Sequence, residues 1–338
     1  MKKLLSLLLV FTLSFSLALF SACVPQTTSS VTLIGLANAT AVSPASDYDY
    51  FVTPEPAATT KVNASQGQLA FAGSLQSLYG DGQGYPQAVL VAKKSVMQSN
   101  GAKVKQVIDS FAQNKQWLLD EQTEPSQIVN AVQSGFLTQM TPTFTAGNLN
   151  KNVLQNCGVN FTSAQNAKQS VLSYLSKINA VSDNAFGTPV DDFFYNGSCS
   201  DTVGGDLTLY CPDGAPALSV ARLLADNTII DGLQINVVLA SAIQQYVSGA
   251  TPTADLCILP VNAASKILGN ASNYQMLGVV TNGNLFLLKK QGGQDVTRQN
   301  AKSVLDGKKI GVINLANVPG LTLKAILNDL DIQFTEPA

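Results

Sequence analysis

The sequence predicts an α/β fold with parallel-rich sheets, on three observations. From Asp206 onward short apolar runs alternate with helical patterns, the rhythm of βαβ units. The apolar runs are continuous and bounded by polar residues, Pro or Gly, as expected of buried strands. Hydrophobic residues make up 46% of 338 positions, enough for two compact domains at about 100–200 residues each.

The first element is a leader. Lys2 and Lys3 precede an apolar run from Leu4 to Phe20, which ends in Ser21-Ala22-Cys23. A charged start, an apolar middle and a small-residue exit make a secretory signal. The run is short for a membrane span, which needs about 20 residues. Cysteine just past the cut resembles the lipobox of bacterial lipoproteins, in which Cys23 is acylated, although Phe20 stands where leucine is usual. The competing reading is a plain signal in which Cys23 has no role. Residues 24–30 form a polar tether, and the folded part begins near Val31.

Tyr48–Thr53 reads as a strand, followed by a turn at Pro54-Glu55-Pro56 and a helix from Ala57. Gln87–Ala92 is a buried strand. Val104, Val107, Ile108, Phe111 and Leu118 recur at spacings of three and four, one face of an amphipathic helix that also carries Trp117 as a core residue. A further helix spans Pro125–Phe136. Another covers Asn160–Ala180, with Ser163 as candidate N-cap and Val171, Leu175 and Ile178 as its stripe. Periodicity is lost over 181–205, the best internal boundary. Beyond it lie strands at Asp206–Cys211, Gln234–Leu239, Asp255–Leu259, within Met276–Lys289, and at Lys308–Ile313. Helices at Pro216–Asp226, Ser241–Val247, Asn262–Leu268 and Leu321–Leu330 alternate with them.

Composition removes whole classes of function. Arg222 and Arg298 are the only arginines, and the net charge is −2, so no basic stripe is available to displace counterions from nucleic acid. Histidine is absent, which removes Ser-His-Asp and Cys-His activation, histidine general bases and histidine metal sites. Ser-x-x-Lys and Gly-x-Ser-x-Gly motifs are missing too. No catalytic residue, metal or cofactor is expected. The Gly80–Pro86 stretch lacks the strand and helix of a phosphate cradle and reads as a surface turn. Cys157, Cys199, Cys211 and Cys257 form no Cys-x-x-Cys pair. Cys211 and Cys257 sit in apolar runs as buried thiols, and Cys157–Cys199 is the more plausible bridge.

Four strand-to-helix turns share small or neutral polar character: Asp213-Gly214-Ala215-Pro216, the Asn262-Ala263 turn, Asn317–Thr322 with Pro319, Gly320 and Thr322, and Thr53–Pro56 with Glu55. In parallel sheets ligands bind beyond the carboxyl ends of strands, where helix N–H groups are free. Each turn could equally be an ordinary capped connection. Thr281-Asn282-Gly283-Asn284 is a further candidate, though Asn-Gly is also a hairpin signal. Tyr79 and Tyr85 flank the glycine-rich loop, where they either cover an apolar ring or stand as surface aromatics.

Gly205–Asp226, Asp255–Asn262, Val279–Asn284 and Gly307–Leu330 resemble solute-binding proteins of ABC importers, of the nitrate, taurine, alkanesulfonate and thiamine-pyrimidine-precursor type. Tyr50–Thr59 and Tyr85–Ala92 look like the second lobe of that family, and Asp191–Tyr195 like its C-terminal end. The order is reversed here, as in a circular permutant, with Asn196–Gly205 joining the old ends; Ile332–Pro337 and Val31–Leu36 are then expected to be neighbours. The resemblance implies a two-lobed, periplasmic-binding-protein-like (type II) fold with a hinge. It places 31–130 mostly in lobe 2, 131–200 as helices returning to lobe 1, 205–290 in lobe 1, and 291–338 as the first part of lobe 2. It further implies a lipid-anchored monomer that docks on an ABC permease, with the turns named above as ligand contacts. Those turns hold Asp213 and Glu55 but no Lys or Arg, so a small neutral or weakly cationic solute, heterocycles included, is expected rather than a strong anion. The alternatives are a surface ligand-sensing or adhesive lipoprotein and a pyrimidine-precursor enzyme on the same fold. If Cys23 is acylated, Cys23→Ala moves the protein from the membrane pellet to the soluble fraction; unchanged partitioning counts against the anchor.

Overall fold

The computed structural model describes residues 30–80, 82, 84–269 and 273–337. The leader and Cys23 lie outside the described residues, as do most of the tether and Asp81 and Gln83 of the glycine-rich loop. Two six-stranded sheets dominate. One has the order β12-β1-β11-β2-β10-β3, built from β1 (Val31–Leu36), β2 (Tyr50–Pro54), β3 (Leu69–Ser74), β10 (Leu285–Lys290), β11 (Lys309–Ile313) and β12 (Phe334–Thr335). The other, β5-β9-β4-β8-β6-β7, holds β4 (Ala88–Lys93), β5 (Val159–Ser163), β6 (Leu207–Pro212), β7 (Leu233–Val238), β8 (Leu256–Pro260) and β9 (Tyr274–Thr281). This is the two-lobed α/β arrangement expected from the sequence.

Both sheets follow one plan. In the first, β12, β1, β11 and β2 are parallel, and β10 enters antiparallel between β2 and β3. In the second, β7, β6 and β8 are parallel, and β4 enters antiparallel between β8 and β9. The antiparallel strand is in each case delivered from the other lobe: β9 continues into β10, and β3 into β4 through the Leu75–Tyr79 helix. β1 lies between β11 and β12, with Val31 opposite Phe334, so the two segments expected to be neighbours pair directly.

β4 shows why the apolar runs form strands. Every residue from Ala88 to Ala92 is buried, and successive side chains point to opposite faces. Val89 and Val91 join one core; Ala88, Leu90 and Ala92 join the other, beneath the Gly101–Leu119 helix. The first core is continuous between the sheets. It contains Val52, Leu287 and Val312 of one, Leu259, Met276 and Val279 of the other, and Val171, Tyr174, Leu175 and Ile178 of the Ala164–Asn179 helix.

Several expectations are corrected. The helix expected within Asn160–Ala180 runs Ala164–Asn179 with Ser163 at its N-cap position, but the Ser163 side chain makes no capping bond, and Val159–Ser163 is drawn into an antiparallel ladder with β9. The single helix predicted over Pro216–Asp226 is two, Ala215–Leu218 and Ala221–Ala225. Asn114 fills the break: its amide Nδ2 donates to the Leu218 carbonyl at 2.9 Å, and its Oδ1 accepts from the Arg222 N–H at 3.1 Å. Ser241–Val247 contains only a 3-10 turn, Ile243–Tyr246, and Trp117 is half-buried. The Cys157–Cys199 bridge is not formed. Cys157 is buried beneath the second sheet, Cys199 sits on the 196–205 connection, and all four described cysteines are thiols. That connection is held by backbone and side-chain hydrogen bonds to residues 97–102.

Asn114→Ala leaves the Leu218 carbonyl and the Arg222 amide unpaired inside the core. The expected loss is about 1–3 kcal/mol, read as a lower denaturation midpoint; an unchanged midpoint excludes this role for the asparagine.

Candidate functional site

The strand directions bring the carboxyl edges of the two sheets against each other. In one lobe β6, β7, β8 and β9 end at Pro212, Val238, Pro260 and Thr281, and the register sets Ala88 beside both Pro260 and Thr281. In the other, β2 and β3 end at Pro54 and Ser74 beside the start of β10 at Leu285. Asn282, Gly283 and Asn284 are all that separate β9 from β10, so these edges abut at this crossover.

Gln87 ties the junction together. Its N–H donates to the Thr281 carbonyl and its own carbonyl accepts from Val261, both at 2.9 Å. Its side-chain Nε2 donates to Asn284 Oδ1 at 2.9 Å. The Asn284 carbonyl in turn accepts from the Glu55 N–H at 3.1 Å. Glu55 is buried, and its carboxylate accepts from the Thr59 N–H (3.0 Å), Thr59 Oγ1 (2.7 Å) and Asn156 Nδ2 (2.8 Å). Thr59 lies in the helix that follows β2, whereas Asn156 ends the Lys151–Asn156 helix of the other lobe. Glu55 therefore caps one helix and bridges the lobes.

Among the described residues, six buried side-chain atoms here have no hydrogen-bond partner: Thr53 Oγ1, Tyr85 OH, Gln87 Oε1, Asp213 Oδ1, Asn262 Oδ1 and Thr281 Oγ1. Buried polar groups are nearly always paired, and each that is not costs about 1–3 kcal/mol. All six sit on the strand-end edges or the crossovers between them. Thr53 and Thr281 are wholly buried. Asp213 follows β6; its second oxygen, Oδ2, accepts from the Thr143 N–H at 2.7 Å. Gly214 follows in a backbone conformation (φ 105°, ψ −156°) that only glycine adopts readily, and the turn it makes starts the Ala215-Pro216 helix, which packs against β9. Asn262 and Ala263 open the helix after β8.

Tyr79 and Tyr85 are not surface aromatics. Both are buried with Tyr174: Tyr85 stacks on Tyr174 at 5.5 Å between centroids, and Tyr79 meets both rings edge-on at about 6 Å. Burial holds the Tyr85 hydroxyl well above the ordinary phenol range, with Tyr174 adding to it; the Asn284 and Leu285 amides lie close but complete no hydrogen bond. Thr322 is committed elsewhere, sharing a 2.7 Å hydrogen bond with Tyr174 OH. Gly320 is where helix and preceding loop touch, because a Cβ there would strike the Leu315 carbonyl, and Pro319 opens the same helix. Of these three, Thr322 is the one that meets the tyrosines, and its hydroxyl is already paired. Gln87, Tyr174, Asn156 and Thr143 are additions to the expected set.

A groove of about 800 Å³ runs between the end of β3, the 80–84 loop and residues 295–299, and smaller pockets of about 310–400 Å³ lie elsewhere on the surface. Another, of about 250 Å³, takes in Asn282 and Gly158 at the crossover. Among the described residues no group of His, Cys, Asp and Glu could hold a metal ion.

No family model and no curated protein matches the chain. Among solved structures it is similar to the oligopeptide-binding protein AppA from Bacillus subtilis, in complex with a nonapeptide, at 10% identity and a TM-score of 0.29, over 80% of this chain and 58% of that one. A second is NikA from Staphylococcus aureus in complex with Ni(L-His)2, at 9% identity and a TM-score of 0.30, over 75% of this chain and 55% of that one. The chain thus spans little more than half the length of either. At these TM-scores the alignments assign neither fold nor ligand; strand order and register describe the fold.

Gly283 has φ 70°, and a Cβ there would lie 2.9 Å from the Tyr85 ring and 2.8 Å from Gln76 Cγ. Gly283→Ala is expected to cost at least about 1–2 kcal/mol from the left-handed backbone alone. It should also perturb the tyrosine near-ultraviolet circular dichroism. A variant with native spectrum and stability would show that the crossover tolerates a side chain.

Proposed function

We propose that this chain is the extracytoplasmic solute-binding component of an ABC importer, tethered through Cys23 and acting as a monomer. It closes two lobes over one small neutral or weakly cationic solute. The observation that carries the reading is the set of six unpaired buried polar atoms at the junction of the sheet edges. A purely structural core has no use for such a set. A binding cleft does, because a guest with complementary groups supplies the missing hydrogen bonds and is held against water.

The path of the chain supports hinged closure. Two crossovers, 79–88 and 281–285, link the lobes, and Glu55–Asn156 bridges them directly. Closure around ligand by a few connecting residues is the usual motion of such pairs. The pairing of β1 with β11 and β12 supports the permuted order, in which β6 to β11 supply what would come first in the family. The absence of histidine, and of Lys or Arg from the turns that carry the site, favours binding over catalysis.

Thr281→Val separates a ligand-directed hydroxyl from a structural one. Without ligand the variant is expected to be more stable than the parent by about 1 kcal/mol, since an unpaired buried group has been removed. Its affinity for solute is expected to fall. Thermal melts across a panel of aminopyrimidines, thiamine precursors and alkanesulfonates check both arms, because a bound ligand raises Tm in a concentration-dependent way. A panel that never moves Tm, together with a Thr281→Val variant less stable than the parent, sinks the receptor reading.

A further inference from the structure

The six unpaired atoms also say what the guest must bring, provided the receptor reading holds. Three can only accept. Asp213 Oδ1 belongs to a carboxylate whose other oxygen already takes the Thr143 N–H. Gln87 Oε1 is left without a donor, while the amide nitrogen of the same side chain is spent on Asn284 Oδ1. Asn262 Oδ1 is the third. The hydroxyls of Thr53, Tyr85 and Thr281 act either way. A guest made of acceptors would leave the three obligate acceptors unpaired and set its own charge against Asp213. A guest made of N–H donors satisfies all six.

The cations of the protein do not do this work. Among the described residues no lysine or arginine is ion-paired with Asp213. Arg298 is held by Asp329 and by the Leu78 and Tyr79 carbonyls. We infer that the solute is a nitrogen base whose charge sits on N–H donors, an amidinium, guanidinium or primary ammonium cation. Its charged end lies at Asp213 and Asn262, and its remaining donors lie toward Gln87, Thr53 and Thr281. N–H donors to a carboxylate are charge-assisted, and a planar amidinium can meet two acceptors at once.

The test uses the mature protein and named probes followed by thermal melts and calorimetry: benzamidine and agmatine as cations, cytosine as a neutral heterocycle, taurine and nitrate as anions. A saturable response to benzamidine or agmatine, stronger than to the other three, is the expected result. Asp213→Asn removes the charge and turns an acceptor into a donor, so cation affinity is expected to fall at least tenfold. Asn262→Leu, which removes an acceptor without altering charge at Asp213, is expected to weaken the same probes and stands in should Asp213→Asn fail to fold. Tight binding of taurine, nitrate or cytosine with silent cations overturns the ligand class and leaves the receptor reading standing. Cation binding undiminished in both variants overturns the placement of the charged end. Silence from every probe, with Thr281→Val also failing to stabilise, removes the class and the receptor reading together.

Discussion

The structure depends on how one residue, Gln87, uses its hydrogen bonds. Its backbone pairs with Thr281 on one side and Val261 on the other, which sets β4 between β8 and β9. Its side chain then reaches Asn284 at the start of β10, in the other sheet. A strand that entered one residue out of step would exchange the two faces of β4, because side chains alternate. Val89 and Val91 would leave the shared core and Leu90 would enter it. The register at this residue therefore decides the packing of both lobes, and it also leaves an amide oxygen buried without a partner.

The shared core sets where any hinge can act. Apolar side chains from both sheets and from the Ala164–Asn179 helix form one continuous cluster. Exposing even one such side chain costs about 1.5–3 kcal/mol, so separation through this layer is expensive. The tyrosine trio and its hydrogen bond to Thr322 stiffen the same region. Movement is cheaper where the lobes meet through polar groups such as Glu55 and Asn156.

Much of the fold was legible because its strands are continuous apolar runs. Gln87–Ala92, Asp255–Leu259 and Lys308–Ile313 all became strands to within a residue or so. What escaped was set by tertiary partners. β3, Leu69–Ser74, has glycine and alanine in place of a strong pattern, and pairing with β10 makes it a strand. The break after Leu218 exists because Asn114, far away in sequence, satisfies both sides of it. Thr53, Asp213, Asn262 and Thr281 were readable from their positions at strand ends. Gln87 was not, since only the antiparallel course of β4 puts the beginning of a strand at the edge where other strands finish. Tyr85 looked exposed beside glycines; Tyr174, in a distant helix, is what draws it inside.

The pairing of Leu33 with Ile310 has a consequence for biogenesis. The two strands can pair only after the long stretch of chain between Leu36 and Lys309 has been made. Loop closure of that length is slow, and pairings remote in sequence delay folding. Until then, the first sheet lacks the strand that joins β1 to β2, and its apolar edge stays open to misassociation. A chain of this topology thus remains an unfinished polymer until β11 has been made, and acquires its shape afterward.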